Sequence, residues 1–224
     1  CRRALEKCRA ILRQNPVEAL TFARSLVYHF PNWHSPQYRN VLSIPPFTRK
    51  ALLIDSRAHL ERVFQHMDIL QETPMVTNAL YRTSFIKDLA ERYGRLFPHG
   101  HMGDYNVACL VLHHTKEFIY LDDPIAVFGH WKENTSAQLH DFQTTMPEYQ
   151  EWIDWITAEH LPKMPWTQYL WPNCVAAALE DMNHKLGMNI KVDSVQYWFE
   201  MFREIKRVAA AGGTVDHLVE DLQK

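Results

Sequence analysis

Chemistry-capable side chains are densest at residues 97–112, FPHGHMGDYNVACLVL, where His99, His101 and Asp104 fall close together and His113 and His114 follow just beyond. A His-x-His pair beside an aspartate suits zinc and related ions, because neutral imidazole and carboxylate are their usual ligands. The spacing does not close a metal site by itself: His99 and His101 converge only in a tight turn, and no second carboxylate–histidine set follows downstream. Gly100 and Gly103 supply turn chemistry, and Asp104 stands where a helix N-cap is expected, just ahead of an apolar run. A carboxylate at such a junction has its backbone fixed by the helix while its side chain can face a cleft. As a plain cap it would only satisfy helix N–H groups.

Other signatures are missing from the sequence. There is no G-x-G-x-x-G, no phosphate-binding Walker loop and no G-x-S-x-G elbow. Asp122 and Asp123 are adjacent, so in a strand they would face opposite sides, and a turn before Pro124 is their expected role. Cys1, Cys8, Cys109 and Cys174 form no C-x-x-C pair, which argues against a zinc ribbon or disulfide framework and for a reducing, cytoplasmic setting. With a net charge of −2, nothing suggests nucleic acid or an anionic membrane surface as a partner. No run is apolar enough for a transmembrane segment. At 224 residues the chain suits one large domain, or one with an appendage.

The elements that must position Asp104 can be read from periodicity. Residues 1–15 carry apolar positions Ala4, Leu5, Cys8, Ile11 and Leu12 at helical spacing with basic residues between, and Asn15-Pro16 ends the pattern. Residues 18–30 alternate like one half-buried strand. A loop rich in Pro, Trp33, His34 and Tyr38 follows, then a short apolar piece stopped by Pro45-Pro46. Asp55-Ser56 caps a helix through Met67, residues 74–79 read as extended, and Thr83 or Ser84 opens a helix closed by Gly94. The Asp104 helix runs to His114, with strand-like residues on either side of Asp122-Asp123-Pro124 after it. Beyond residue 140 only helical patterns occur, punctuated at Pro162, Pro165, Gly187 and Gly212-Gly213. The expectation is an α/β domain over residues 1–140 and a helical extension over 141–224.

The order of these segments resembles the C-terminal half of a family-2 glycosyltransferase of the GT-A fold. The likeness covers roughly the first 140 residues. It runs from ALTFARSLVYHF and YHFPNW…RNVLSIP through MVTNALYRTSFIKDLAERYGRLFPHGHMGDYNVACLVL to FIYLDDPIAVFGHWKENTSAQ. In that family a carboxylate at a helix opening is the general base, and a later G-x-x-x-N-S type segment closes over the donor. The resemblance therefore places Asp104 as base of an inverting sugar transfer from a nucleotide-diphosphate sugar to a glycan or other hydroxyl acceptor. It places Gly129, His130, Asn134 and Ser136 in the closing segment, and His101 and Gly103 flank the base. Trp33, Tyr38, Tyr81 and Trp131 are candidates to stack on sugar or base faces.

The resemblance also implies a divalent metal, Mg or Mn, on the leaving diphosphate, with His130 a candidate contact and no organic cofactor. The family's Asp-x-Asp motif is absent, so the nucleotide-binding half is expected upstream of Cys1 and the chain is expected to be a fragment. The helical extension is expected to pack on the catalytic half or to mediate homo-oligomerisation. Two readings stand beside this one: a non-catalytic interaction module derived from a transferase domain, and a His/Asp metallohydrolase.

Overall fold

The computed structural model describes residues 2–24, 26–33, 36–67, 70–94, 103–130, 154, 158, 164, 170–210, 215, 216 and 220. Among them the chain is α/β, with six α-helices and two mixed sheets. It divides into two compact units. The first holds residues 1–62, 69–98 and 103–132, and the second holds 63–68, 99–102 and 133–224.

In the first unit, helix α1 (Arg2–Gln14) leads into strand β1 (Ala19–Phe22), one of the two inner strands of a four-stranded sheet. Its partners are β5 (Ala79–Tyr81), antiparallel, and β6 (Glu117–Leu121), parallel, and β4 (Ala51–Asp55) closes the other edge against β6. Strand alternation sorts the side chains onto two faces. Leu20, Phe22, Leu80, Ile119 and Leu121 pack with Cys8, Leu12 and Val17 of the α1 segment. Thr21, Tyr81, Phe118 and Tyr120 therefore belong to the opposite face.

Helix α2 (Ser56–His66) meets that opposite face through His59, whose ring stands edge-on to Phe118, and α3 (Thr83–Tyr93) and α4 (Gly103–His114) follow in the chain. Asp55 caps α2, its Oδ1 accepting the Ala58 N–H at 2.7 Å. Thr115 Oγ1 donates to the Val111 carbonyl at 2.8 Å, which leaves Ser56 Oγ as donor in the 2.8 Å contact between the two hydroxyls. This pair ties the start of α2 to the end of α4. Helix α3 ends at Gly94, whose φ of 73° is the left-handed conformation that glycine adopts without a Cβ penalty. Residues 105–112 of α4 are all buried, as an apolar run without a polar stripe requires.

Two expectations need correction. The strand expected over 18–30 is two strands in two sheets: β1 ends at Phe22, and β2 (Val27–His29) pairs with β3 (Val41–Ser43) and β7 (Phe128–His130). Between them Arg24 sends Nη2 to the Leu70 carbonyl at 3.2 Å and Nη1 to Met75 Sδ at 2.9 Å, which anchors the break. The extended segment expected over 74–79 is a turn through Asn78, because Asn78 Oδ1 accepts the Met75 N–H at 3.0 Å; only Ala79–Tyr81 is strand. Strand β4, an apolar run immediately before the α2 cap, was not expected.

In the second unit, α5 (Trp171–Leu186) and α6 (Ser194–Ala210) pack about Leu170, Ala176, Tyr197, Met201, Ile205 and Val208. Tyr197 donates to Asn173 Oδ1 at 2.9 Å within that core. Gly187 stops α5 at φ 60°, and Asp193 Oδ1 caps α6 by accepting the Gln196 N–H at 2.9 Å. The expected hinges at Pro162, Pro165 and Gly212-Gly213 lie outside the described residues.

Candidate functional site

Asp104 lies inside the first turn of α4, since Gly103 is already helical, and so it is not the N-cap the sequence suggested. A carboxylate there still meets the positive end of the helix dipole. It makes no hydrogen bond or ion pair among the described residues. Burial pushes its carboxyl above the usual carboxylate range, and the Arg24 guanidinium opposes the shift. An acidic group moved in that direction is a stronger base than an exposed aspartate.

Tyr81 comes from β5, on the sheet face that carries Thr21 and Tyr120. Its hydroxyl is buried, accepts and donates nothing among the described residues, and is held neutral by burial and then by the nearby Asp104 charge. Tyr120 of β6 is likewise pushed up, mainly by burial and then by Asp122. An unmade hydrogen bond on a buried hydroxyl costs about 1–3 kcal/mol, so such groups are uncommon in native structures. Asp104, Tyr81 and Arg24 thus form one electrostatic group built from a helix opening, a strand and a strand exit.

A buried polar network supports this group. Asn78 Nδ2 donates to Thr21 Oγ1 at 2.8 Å and to the Thr73 carbonyl at 3.2 Å, and Thr21 Oγ1 donates back to the Asn78 carbonyl at 3.0 Å. His59 Nε2 meets Thr73 Oγ1 at 2.9 Å, and its ring stands edge-on to Phe118. Burial lowers the His59 pKa to about 4, so the ring is neutral at physiological pH. Sequence reading did not single out Thr21, Thr73 or Asn78. Only an Asn within a turn next to a strand hinted at them.

A second cluster forms on the three-stranded sheet. The parallel register sets His29 beside His130, with ring centroids 5.1 Å apart. Trp33 lies 5.2 Å from His130 and 5.4 Å from His29, and Tyr38 lies 5.6 Å from His29. The structure therefore joins three sequence candidates, Trp33, Tyr38 and His130, and adds His29, whose only signal was its place at the end of a β-forming triplet. His29 Nδ1 is buried without a hydrogen-bond partner among the described residues.

The remaining candidates separate. Gly103 opens α4 beside Asp104, whereas His101, Asn134 and Ser136 lie outside the described residues, as do His99 and Trp131. His113 and His114 occupy the last turn of α4, roughly 14 Å along the helix axis from Asp104 at 1.5 Å per residue, so they do not share a site with it. Tyr93 and Arg92 hold the His114 ring there, at 2.6 and 3.4 Å. Asp122 accepts from Thr48 N and Oγ1 at 2.8 and 2.6 Å, which lowers its pKa, and Asp123 pairs with Lys7; both are turn residues with structural partners. Among the described residues no group of three or more His, Cys, Asp or Glu side chains is placed to hold a metal ion. No described helix is long and apolar enough to cross a membrane.

In comparisons with known proteins, no family model, curated protein or solved structure matches the chain.

Proposed function

We propose that this chain is the acceptor-side part of a GT-A-type inverting glycosyltransferase, with Asp104 as general base. The observation that carries the reading is a half-buried carboxylate in the first turn of α4, free of hydrogen bonds among the described residues and set beside the unpartnered Tyr81 hydroxyl. Asp104 accepts the proton of the acceptor hydroxyl as that oxygen bonds to the anomeric carbon of the donor. The bond from that carbon to the diphosphate oxygen breaks, and its electron pair leaves with the nucleoside diphosphate. Burial raises the basicity of Asp104, and the Arg24 guanidinium favours its ionised form.

Trp33, Tyr38, His29 and His130 supply a stacking surface of the kind that receives a sugar or base face. His29 and His130 contribute two imidazoles and no third ligand among the described residues, so no step is assigned to a metal here. Full turnover by the family's route would use Mg or Mn ligands from elsewhere in the complete protein. The free thiols Cys8, Cys109 and Cys174, all buried, suit the cytoplasmic setting that accompanies this reading.

A second reading, that of an interaction module, draws on α6. Val195, Phe199 and Phe202 recur at helical spacing and are 78%, 57% and 52% exposed, an apolar stripe suited to a partner or a second copy. A nucleotide-sugar panel tested by thermal shift on the intact gene product separates the two: a donor that raises Tm supports the transferase, and a flat panel with a sedimenting oligomer supports the module.

A further inference from the structure

A groove of about 310 Å³ runs between α1 and β5. Its lining is mostly apolar, with Leu5, Cys8, Leu12, Val17, Leu80 and the ring of Tyr81, and Arg9, Arg13 and Arg82 stand beside them. Arg82 is engaged by Glu18 at 3.0 Å, whereas Arg9 and Arg13 have no carboxylate or hydrogen-bond partner among the described residues. Helix α1 as a whole bears Arg2, Arg3, Lys7, Arg9 and Arg13 against the single acid Glu6. Leu5 stands 58% exposed in this basic surround.

An apolar trough beside unpaired guanidinium groups is complementary to a molecule with a hydrocarbon body and an anionic head. Guanidinium forks bind phosphate and carboxylate oxygens in pairs, and each buried CH₂ adds about 0.8 kcal/mol. The volume sits at the small end of the range of about 300–1,000 Å³ for small-molecule sites. We infer that the α1–β5 groove binds a single-chain alkyl phosphate, its chain along Leu5, Leu12 and Leu80 and its head on Arg9 and Arg13. This inference does not depend on sugar transfer, because the contacts it uses are Leu5, Leu12, Leu80, Arg9 and Arg13 and do not include Asp104.

The test is calorimetric titration of the full chain with n-decyl phosphate below its micellar concentration, beside n-decanol and inorganic phosphate. Saturable 1:1 binding is expected, at least tenfold tighter than either control. The double variant Arg9→Gln/Arg13→Gln, both residues exposed on α1, is expected to bind at least tenfold more weakly with unchanged circular dichroism. Leu5→Gln, a second variant that leaves the core intact, is expected to weaken binding several-fold. Unchanged affinity in both variants, or inorganic phosphate or decanol binding as tightly as decyl phosphate, would overturn the inference. So would an acidic amphipathic peptide that binds tenfold more tightly through the same arginines. Asp104→Asn should bind decyl phosphate like the parent, so this outcome and that of the sugar-transfer test are independent.

Discussion

Thr21 and Asn78 hold each other twice: the amide of Asn78 donates to the Thr21 hydroxyl at 2.8 Å, and that hydroxyl donates to the Asn78 carbonyl at 3.0 Å. Both residues are fully buried. The pair joins the end of β1, from which Arg24 departs, to the turn before β5, which carries Tyr81. Through it the backbone fixes two of the three members of the electrostatic group around Asp104.

Asn78→Ala leaves the Met75 N–H and the Thr73 carbonyl without their partner in a buried setting. At about 1–3 kcal/mol per unsatisfied group the variant should lose about 3 kcal/mol, or roughly 6–10 °C in Tm for a chain of this size. Urea unfolding monitored by tryptophan fluorescence checks this, and a loss below about 1 kcal/mol would show the network to be dispensable.

His59 is neutral and buried in the fold with a pKa of about 4, against about 6.5 when unfolded. The unfolded chain therefore binds more protons between those values, and stability must fall as pH drops from about 6.5 toward 4. The limiting slope for one proton is about 1.4 kcal/mol per pH unit. Replacing the ring by glutamine, which keeps a donor for Thr73 and cannot charge, should flatten the profile in that window. An equally steep profile for His59→Gln would assign the acid sensitivity elsewhere.

Tyr81→Phe removes a buried hydroxyl that spends no hydrogen bond among the described residues, so thermal stability should hold or rise. If the hydroxyl is reserved for the acceptor, KM should rise several-fold in the intact enzyme while the fold is unaffected. A clear drop in Tm would mean that the hydroxyl has a structural partner instead.

Trp33→Ala takes away the ring stacked at 5.2 Å on His130. An aromatic pair contributes about 0.5–1.5 kcal/mol, so a ligand stacked there should lose roughly three- to tenfold in KM with kcat within twofold. An unchanged KM would confine the cluster to packing.

Much of this layout is written locally and could be read in advance. The α1 periodicity, the Asp55 cap of α2, the Gly94 and Gly187 stops and the span of α4 each depend on a few neighbouring residues. What escaped depends on partners far away in sequence. The split of residues 18–30 between two sheets is set by β6 and β7, a hundred residues downstream, and by the hold of Arg24 on Leu70 and Met75. The juxtaposition of His29 with His130 exists only in the parallel register of β2 and β7. Asp104 was found by its place before an apolar run, but its lack of hydrogen bonds and its neighbours Tyr81 and Arg24 needed the fold.

Asp104 also links function to stability with a definite sign. Its folded-state pKa lies above the unfolded value, so the folded state binds more protons across that interval and stability falls as pH rises through it. Asp104→Asn should therefore fold at neutral pH with a Tm at or above that of the parent. The most direct test of the account uses this variant in the intact gene product, following nucleoside diphosphate release from the donor found in the nucleotide-sugar panel. Loss of about 10²–10⁴-fold in kcat with donor affinity within twofold is the predicted result. Turnover within tenfold of the parent would contradict Asp104 as the base of a sugar transfer.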